Sequence, residues 1–89
     1  MALFAITYDL IKRKDYQTLW DELDDLGAHK ALNSFYLLNI KTEDDAQGMV
    51  NYLRQFIDDD DRLMVVKFTG KPRFAKALAG TSDWIKKNT

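Results

Sequence analysis

Ala-His-Lys-Ala-Leu-Asn-Ser-Phe-Tyr-Leu-Leu-Asn-Ile-Lys, residues 28–41, is the stretch on which the fold turns. Leu32, Tyr36, Leu38 and Ile40 share one parity, and Ala31, Phe35 and Leu37 share the other. Apolar residues on both parities through 35–38 mark a central strand covered on both faces. Read as one straight strand, the stretch gives a βαβαβ chain. Read as a hairpin, with arms 29–32 and 35–40 around Asn33-Ser34, it gives βαββαβ. The hairpin is the expected reading, because sheets more often hold four strands or more than three.

Working outward, residues 3–10 (Leu-Phe-Ala-Ile-Thr-Tyr-Asp-Leu) form an apolar, β-favouring run of the kind found in a buried central strand. Residues 11–14 make a short polar link, and Asp15 is placed to cap a helix. Tyr16, Leu19, Trp20, Leu23 and Leu26 recur at helical spacing, with Asp21, Glu22, Asp24 and Asp25 on the outer face. Gly27 fits the position that ends such a helix. Beyond the hairpin, Thr42 opens a capping-box pattern with Asp45 at its third helical position. Ala46, Met49, Val50, Leu53 and Phe56 continue it as a second amphipathic helix. The acidic run 58–61 reads as a turn and 62–69 as the last strand, which Gly70 and Pro72 end.

The expected architecture is therefore α+β and ferredoxin-like, an antiparallel sheet with two helices on one face. Residues 1–70 form that domain. Residues 71–89 form a short helical tail, expected to dock by Phe74, Leu78 and Trp84, with Ser82 as its cap.

At 89 residues the chain buries about 60–65% of its unfolded surface, so a second copy packed on it adds useful apolar burial. The apolar character of both parities in 3–8 and 35–38 points to a homodimer, since two helices cover only one face. Cysteine is absent, which excludes disulfides, thiolate chemistry and Cys-based zinc sites. No apolar run approaches the ~18–20 residues that span a bilayer, and the opening lacks the basic region of a signal peptide, so a cytoplasmic location is expected. The net charge of −1 argues against a protein that coats nucleic acid, yet the basic residues cluster at 12–14, 67–76 and 86–87. His29, the sole histidine, excludes a His-paired metal site within one chain and reads as a surface residue after the helix cap. The 58–61 run lacks the glycine and distal glutamate of a calcium loop.

Asp9 is the first candidate for chemistry, because an acid where a core strand leaves its sheet is costly to bury without a partner or a metal. Its structural alternative is to cap the next turn or pair with Lys12 or Arg13. Tyr8 is a half-buried core residue or a group orienting phosphate or water. Ser34 is a turn residue or a phosphate contact, and Lys12, Arg13 and Lys14 are a solvated loop or a nucleic-acid contact.

Ile6-Thr7-Tyr8-Asp9-Leu10, then Lys12-Arg13, Leu26-Gly27-Ala28 and Asn33-Ser34-Phe35-Tyr36-Leu37, resemble the smaller of the two CRISPR adaptation proteins and the related virulence-associated type D ribonucleases. Where the adaptation proteins have Val-Phe-Glu after the serine, this chain has Phe-Tyr-Leu. The resemblance implies a ferredoxin-like homodimer in which Asp9 faces its symmetry mate and holds Mg²⁺ or Mn²⁺. On that basis the expected function is a metal-dependent nuclease acting on RNA or DNA, with Asp9 catalytic and metal-binding. Tyr8, Lys12, Arg13, Lys14 and Ser34 would contact the nucleic acid. The alternative is a non-catalytic dimeric interaction or regulatory module, toxin-antitoxin-like or CRISPR-associated-like, on the same fold.

Overall fold

In the computed structural model, which describes residues 2–9 and 16–89, strict alternation along the first strand sets the two faces of the sheet. Strand β1, Ala2–Asp9, buries Ala2, Phe4, Ile6 and Tyr8, while Leu3, Ala5 and Thr7 are half-buried and Asp9 is exposed. The hairpin forms with the expected arms, β2 at His29–Leu32 and β3 at Phe35–Ile40. Strand β4, Arg62–Phe68, completes a sheet of order β2-β3-β1-β4 in which every neighbouring pair is antiparallel. With the element order strand, helix, two strands, helix, strand, this is consistent with a ferredoxin-like fold.

Helices α1, Tyr16–Asp25, and α2, Ala46–Leu53, cover the even-numbered face of β1. Leu19 and Leu23 of α1 and Met49 and Leu53 of α2 meet Phe4, Ile6, Tyr36, Leu38 and Val65 in the main core. Gly27 ends α1 as expected. Its φ of 80° is open to glycine at little cost, and the Gly27 and Ala28 N–H groups donate back to the Asp24 and Leu23 carbonyls, each at 2.9 Å. The proposed cap Asp15 lies outside the described residues.

The start of α2 differs from the expected capping box. Asp45 is itself the N-cap, accepting from Gly48 N–H at 2.9 Å, and Thr42 instead accepts from Asp44 N–H at 3.1 Å in the preceding turn. An aspartate directly before the apolar periodicity competes with a threonine three residues earlier, and the nearer oxygen takes the helix. Past Leu53 the chain tightens into a 3₁₀ turn over Arg54–Phe56.

The tail departs further from its sequence reading. Residues 69–80 are irregular, and helix α3 runs over Thr81–Asn88 with Gly80, at φ 89°, as its N-cap in place of Ser82. Phe74 and Leu78 stay 47% and 41% exposed, so neither side chain is the expected anchor. Leu78 docks through its backbone, donating to the Ala31 carbonyl of β2 at 2.8 Å. The apolar anchor is Ile85, buried with Ala31 and Leu37 in a second cluster that Trp84 flanks. His29 is half-buried rather than a free surface residue. Thr81 Oγ1 donates to the Leu78 carbonyl at 2.7 Å, so at 2.8 Å it accepts from His29 Nε2–H, and the imidazole stacks on Trp84.

Helix α3 thus clamps part of the odd-numbered sheet face. Ile85→Ala is expected to lower the unfolding free energy by about 2 kcal/mol or more, whereas the exposed Lys87→Ala should change it by less than about 0.5 kcal/mol. Urea denaturation of both variants measures the difference.

Candidate functional site

The site follows from pairing at one end of β1. Side chains directly opposite each other in an antiparallel pair share a face. Asp9 therefore lies on the same face as Arg62 of β4, its register partner, followed by Met64 opposite Thr7 and Val66 opposite Ala5. Thr7, Tyr8, Asp9, Arg62, Leu63 and Met64 line a shallow hollow of about 230 Å³ at this end. Farther along, Ala5, Phe35, Val66, Phe68 and Pro72 line an apolar hollow of about 250 Å³. Met64 and Val66 are 64% and 52% exposed, so α3 leaves the β1–β4 half of this face open.

Asp9 has no ion-pair or hydrogen-bond partner among the described residues, Arg62 included. Lys12, Arg13 and Lys14, the expected nucleic-acid contacts and alternative partners of Asp9, lie outside the described residues. Ser34 sits in the β2–β3 turn, and its carbonyl accepts from Tyr8 N–H at 3.3 Å, which brings the turn to the Asp9 end of the sheet. Tyr8 goes the other way. Its ring is 4% exposed among the core residues under α1, and its hydroxyl accepts from Trp20 Nε1–H at 2.6 Å. Tyr36 packs against it with ring centroids 6.3 Å apart.

The two phenols of this aromatic group are both raised. Burial pushes the Tyr8 phenol up, while the hydrogen bonds from Trp20 and Tyr36 partly offset that rise. Burial, with the neighbouring Tyr8 and Asp24, pushes Tyr36 up to about 12. Trp20 and Tyr36 thus hold the Tyr8 backbone from the core side, and the next residue carries the exposed carboxylate.

Among the described residues no group of three His, Asp or Glu side chains converges to hold a metal ion within one chain. Among the described residues that line the hollow, Asp9 is the one carboxylate per copy. Arg62 as the register neighbour of Asp9, and the open Met64–Val66 strip, were not readable as a site from the sequence, because both depend on the β1–β4 register. The only local signal was the apolar character of both parities in 63–66.

Residues 1–77 match the model of the family described as CRISPR associated protein Cas2. The chain belongs to that family. No solved structure matches it. The Cas2 match takes in the whole sheet, both helices of the first core and the Asp9 end, and stops before α3. No helix among the described residues is long and apolar enough to cross a membrane.

The raised phenol of Tyr36 has a measurable consequence. Its folded-state value lies above the unfolded value of 10.0, so the stability it contributes is complete below pH ~10 and is lost as pH rises towards about 12. Melting temperatures of wild type and Tyr36→Phe measured from pH 9 to 12 should show the wild type falling more steeply above pH ~10, since phenylalanine cannot ionise. Parallel curves would remove the buried phenol from the account.

Proposed function

We propose that the chain acts as a homodimer that hydrolyses phosphodiester bonds in RNA or DNA, with Mg²⁺ or Mn²⁺ held between the Asp9 residues of two copies. The observation that carries this reading is the position of Asp9, exposed at the end of β1 on the sheet face that α3 leaves open. Two copies packed by that face cover Met64 and Val66 and bring one carboxylate from each chain to a common axis. Membership of the Cas2 family, commonly endoribonucleases and dimers, supports it.

The donor chemistry fits such a cation. Mg²⁺ takes oxygen ligands, keeps several waters and is usually bound through one or two carboxylates plus substrate phosphate. When bound, the ion supplies an activated water and offsets charge on the phosphodiester. In this reading Asp9 holds the ion and Tyr8, locked between Trp20 and Tyr36, is its positioning residue. Ser34, at the same end of the sheet, and Lys12, Arg13 and Lys14, three to five residues beyond Asp9 in sequence, meet the nucleic-acid backbone.

A second reading rests on Arg62, which stands opposite Asp9 in the register. A guanidinium on the same face offsets the field of a lone carboxylate without an ion pair to it, as suits a non-catalytic dimeric interaction or regulatory module.

Asp9→Asn separates the two. Paired carboxylates without metal repel each other, so the neutral variant should melt at the same temperature as wild type or slightly higher while losing cleavage. A carboxylate that serves only to balance Arg62 should instead lose stability when neutralised. The assay incubates wild type and Asp9→Asn with single- and double-stranded RNA and DNA, with Mg²⁺, Mn²⁺ or EDTA, beside melting curves. Cleavage that persists in EDTA, or equal cleavage by both proteins, contradicts the mechanism. No cleavage by either protein favours the interaction module.

A further inference from the structure

The basic residues of the tail are not used by the Asp9 site. Residues 71–89 carry Lys71, Arg73, Lys76, Lys86 and Lys87 against a single carboxylate, Asp83, in a chain whose net charge is −1. Three of those five cations come together in space. Lys71, Arg73, Phe74, Ser82 and Lys86 line a groove of about 220 Å³ between the irregular segment and α3, and Asp83 is not part of its lining. The charged ends of Lys71, Arg73 and Lys86 have no ion-pair or hydrogen-bond partner among the described residues.

The helix is sorted by face. Thr81 and Ile85 are buried, with Ile85 at the floor of the groove, whereas Ser82 and Lys86, four apart and thus neighbours on the surface, are the exposed α3 residues that line it. The N-terminal end of α3 has no side-chain cap, so its positive end adds to the field near Ser82. Phe74 is out of place by ordinary packing rules. A phenylalanine left 47% exposed beside three unpaired cations is a platform without a partner.

We infer that this groove binds single-stranded nucleic acid, with Lys71, Arg73, Lys86 and the Ser82 hydroxyl on the phosphate backbone and Phe74 stacking on an unpaired base. Cations tracking a backbone beside an exposed aromatic ring are how proteins hold single strands with little sequence preference. A duplex offers no free base face to Phe74 within its stack, which selects the single strand. The site goes beyond the catalytic reading of Asp9, shares only Ile85 with the buried residues of the second core, and uses Ser82 and Lys86, which follow the residues matched by the Cas2 family.

The test is fluorescence anisotropy of the full chain with fluorescein-labelled 20-nucleotide oligo(dT) and oligo(rU), in EDTA, over a salt series. EDTA removes any contribution from a cation at Asp9, so binding and hydrolysis succeed or fail separately. Arg73→Gln with Lys86→Gln should weaken binding and reduce the slope of log affinity against log salt by about 1.4, at ~0.7 per phosphate contact on a single strand. Phe74→Ala should weaken binding about five- to a hundredfold while leaving that slope unchanged. Arg73→Lys with Lys86→Arg, keeping both charges, should restore the wild-type slope. Melting curves establish that each variant is folded, as expected for exposed side chains.

Absence of binding by wild type at low salt overturns the inference. So does binding by the charge-neutral double variant and Phe74→Ala within twofold of wild type. Co-sedimentation with phosphatidylglycerol-containing vesicles that depends on Arg73 and Lys86, without oligonucleotide binding, would assign the groove to lipid headgroups and likewise overturn it.

Discussion

Strand β1 is hydrogen-bonded along both edges, to β3 and to β4, so it lies inside the sheet and its side chains, apolar on both parities through residues 3–6, project to two faces. Each face must be covered, and the chain covers them unequally. The even-numbered side receives two amphipathic helices, and Phe4 and Ile6 there are wholly buried. The odd-numbered side receives only α3, which reaches across β2 and part of β3. The open remainder, with Met64 and Val66 on its surface and Asp9 at its end, is what the proposed pairing of two copies would close.

The same asymmetry separates two chemistries. Acidic side chains decorate the outside of α1 and the loops at 43–45 and 58–61, while the tail that wraps onto the second face is basic. The buried Tyr8 and Tyr36, with the half-buried Trp20, fix the end of β1 from the core side. A carboxylate at the end of β1 and a cationic groove between α3 and the segment before it are therefore built on different elements. The proposed catalytic site needs a second copy of the chain, and the proposed groove does not.

Much of this was legible in the sequence where the signals are local. Asn33-Ser34 between two apolar runs announced the hairpin, and Gly27 announced the end of α1. Capping was less readable, because Thr42 and Asp45 each satisfy a helix-start pattern and only the path of the loop decides between them. In the tail, Phe74, Ala77 and Leu78 imitate helical spacing. The backbone there instead bonds to β2 through Leu78, and the helix starts only after the left-handed turn at Gly80. The role of His29 as the latch for Thr81 spans 52 residues and leaves no local trace. Arg62 opposite Asp9 was hidden for the same reason, since a register is a property of two strands and not of either one.

The central claim is that two copies meet on the open sheet face with their Asp9 residues at the axis. The absence of cysteine from the chain makes this directly measurable, since Asp9→Cys places the only thiol there. A disulfide requires the two Cα atoms to come within about 7 Å. Mild oxidation of Asp9→Cys at micromolar concentration should convert most of the chain to a disulfide-linked dimer, and a control cysteine at the exposed Asn51 of α2 should remain uncrosslinked. A chain that stays monomeric on non-reducing gels, or that crosslinks equally through position 51, would contradict the account.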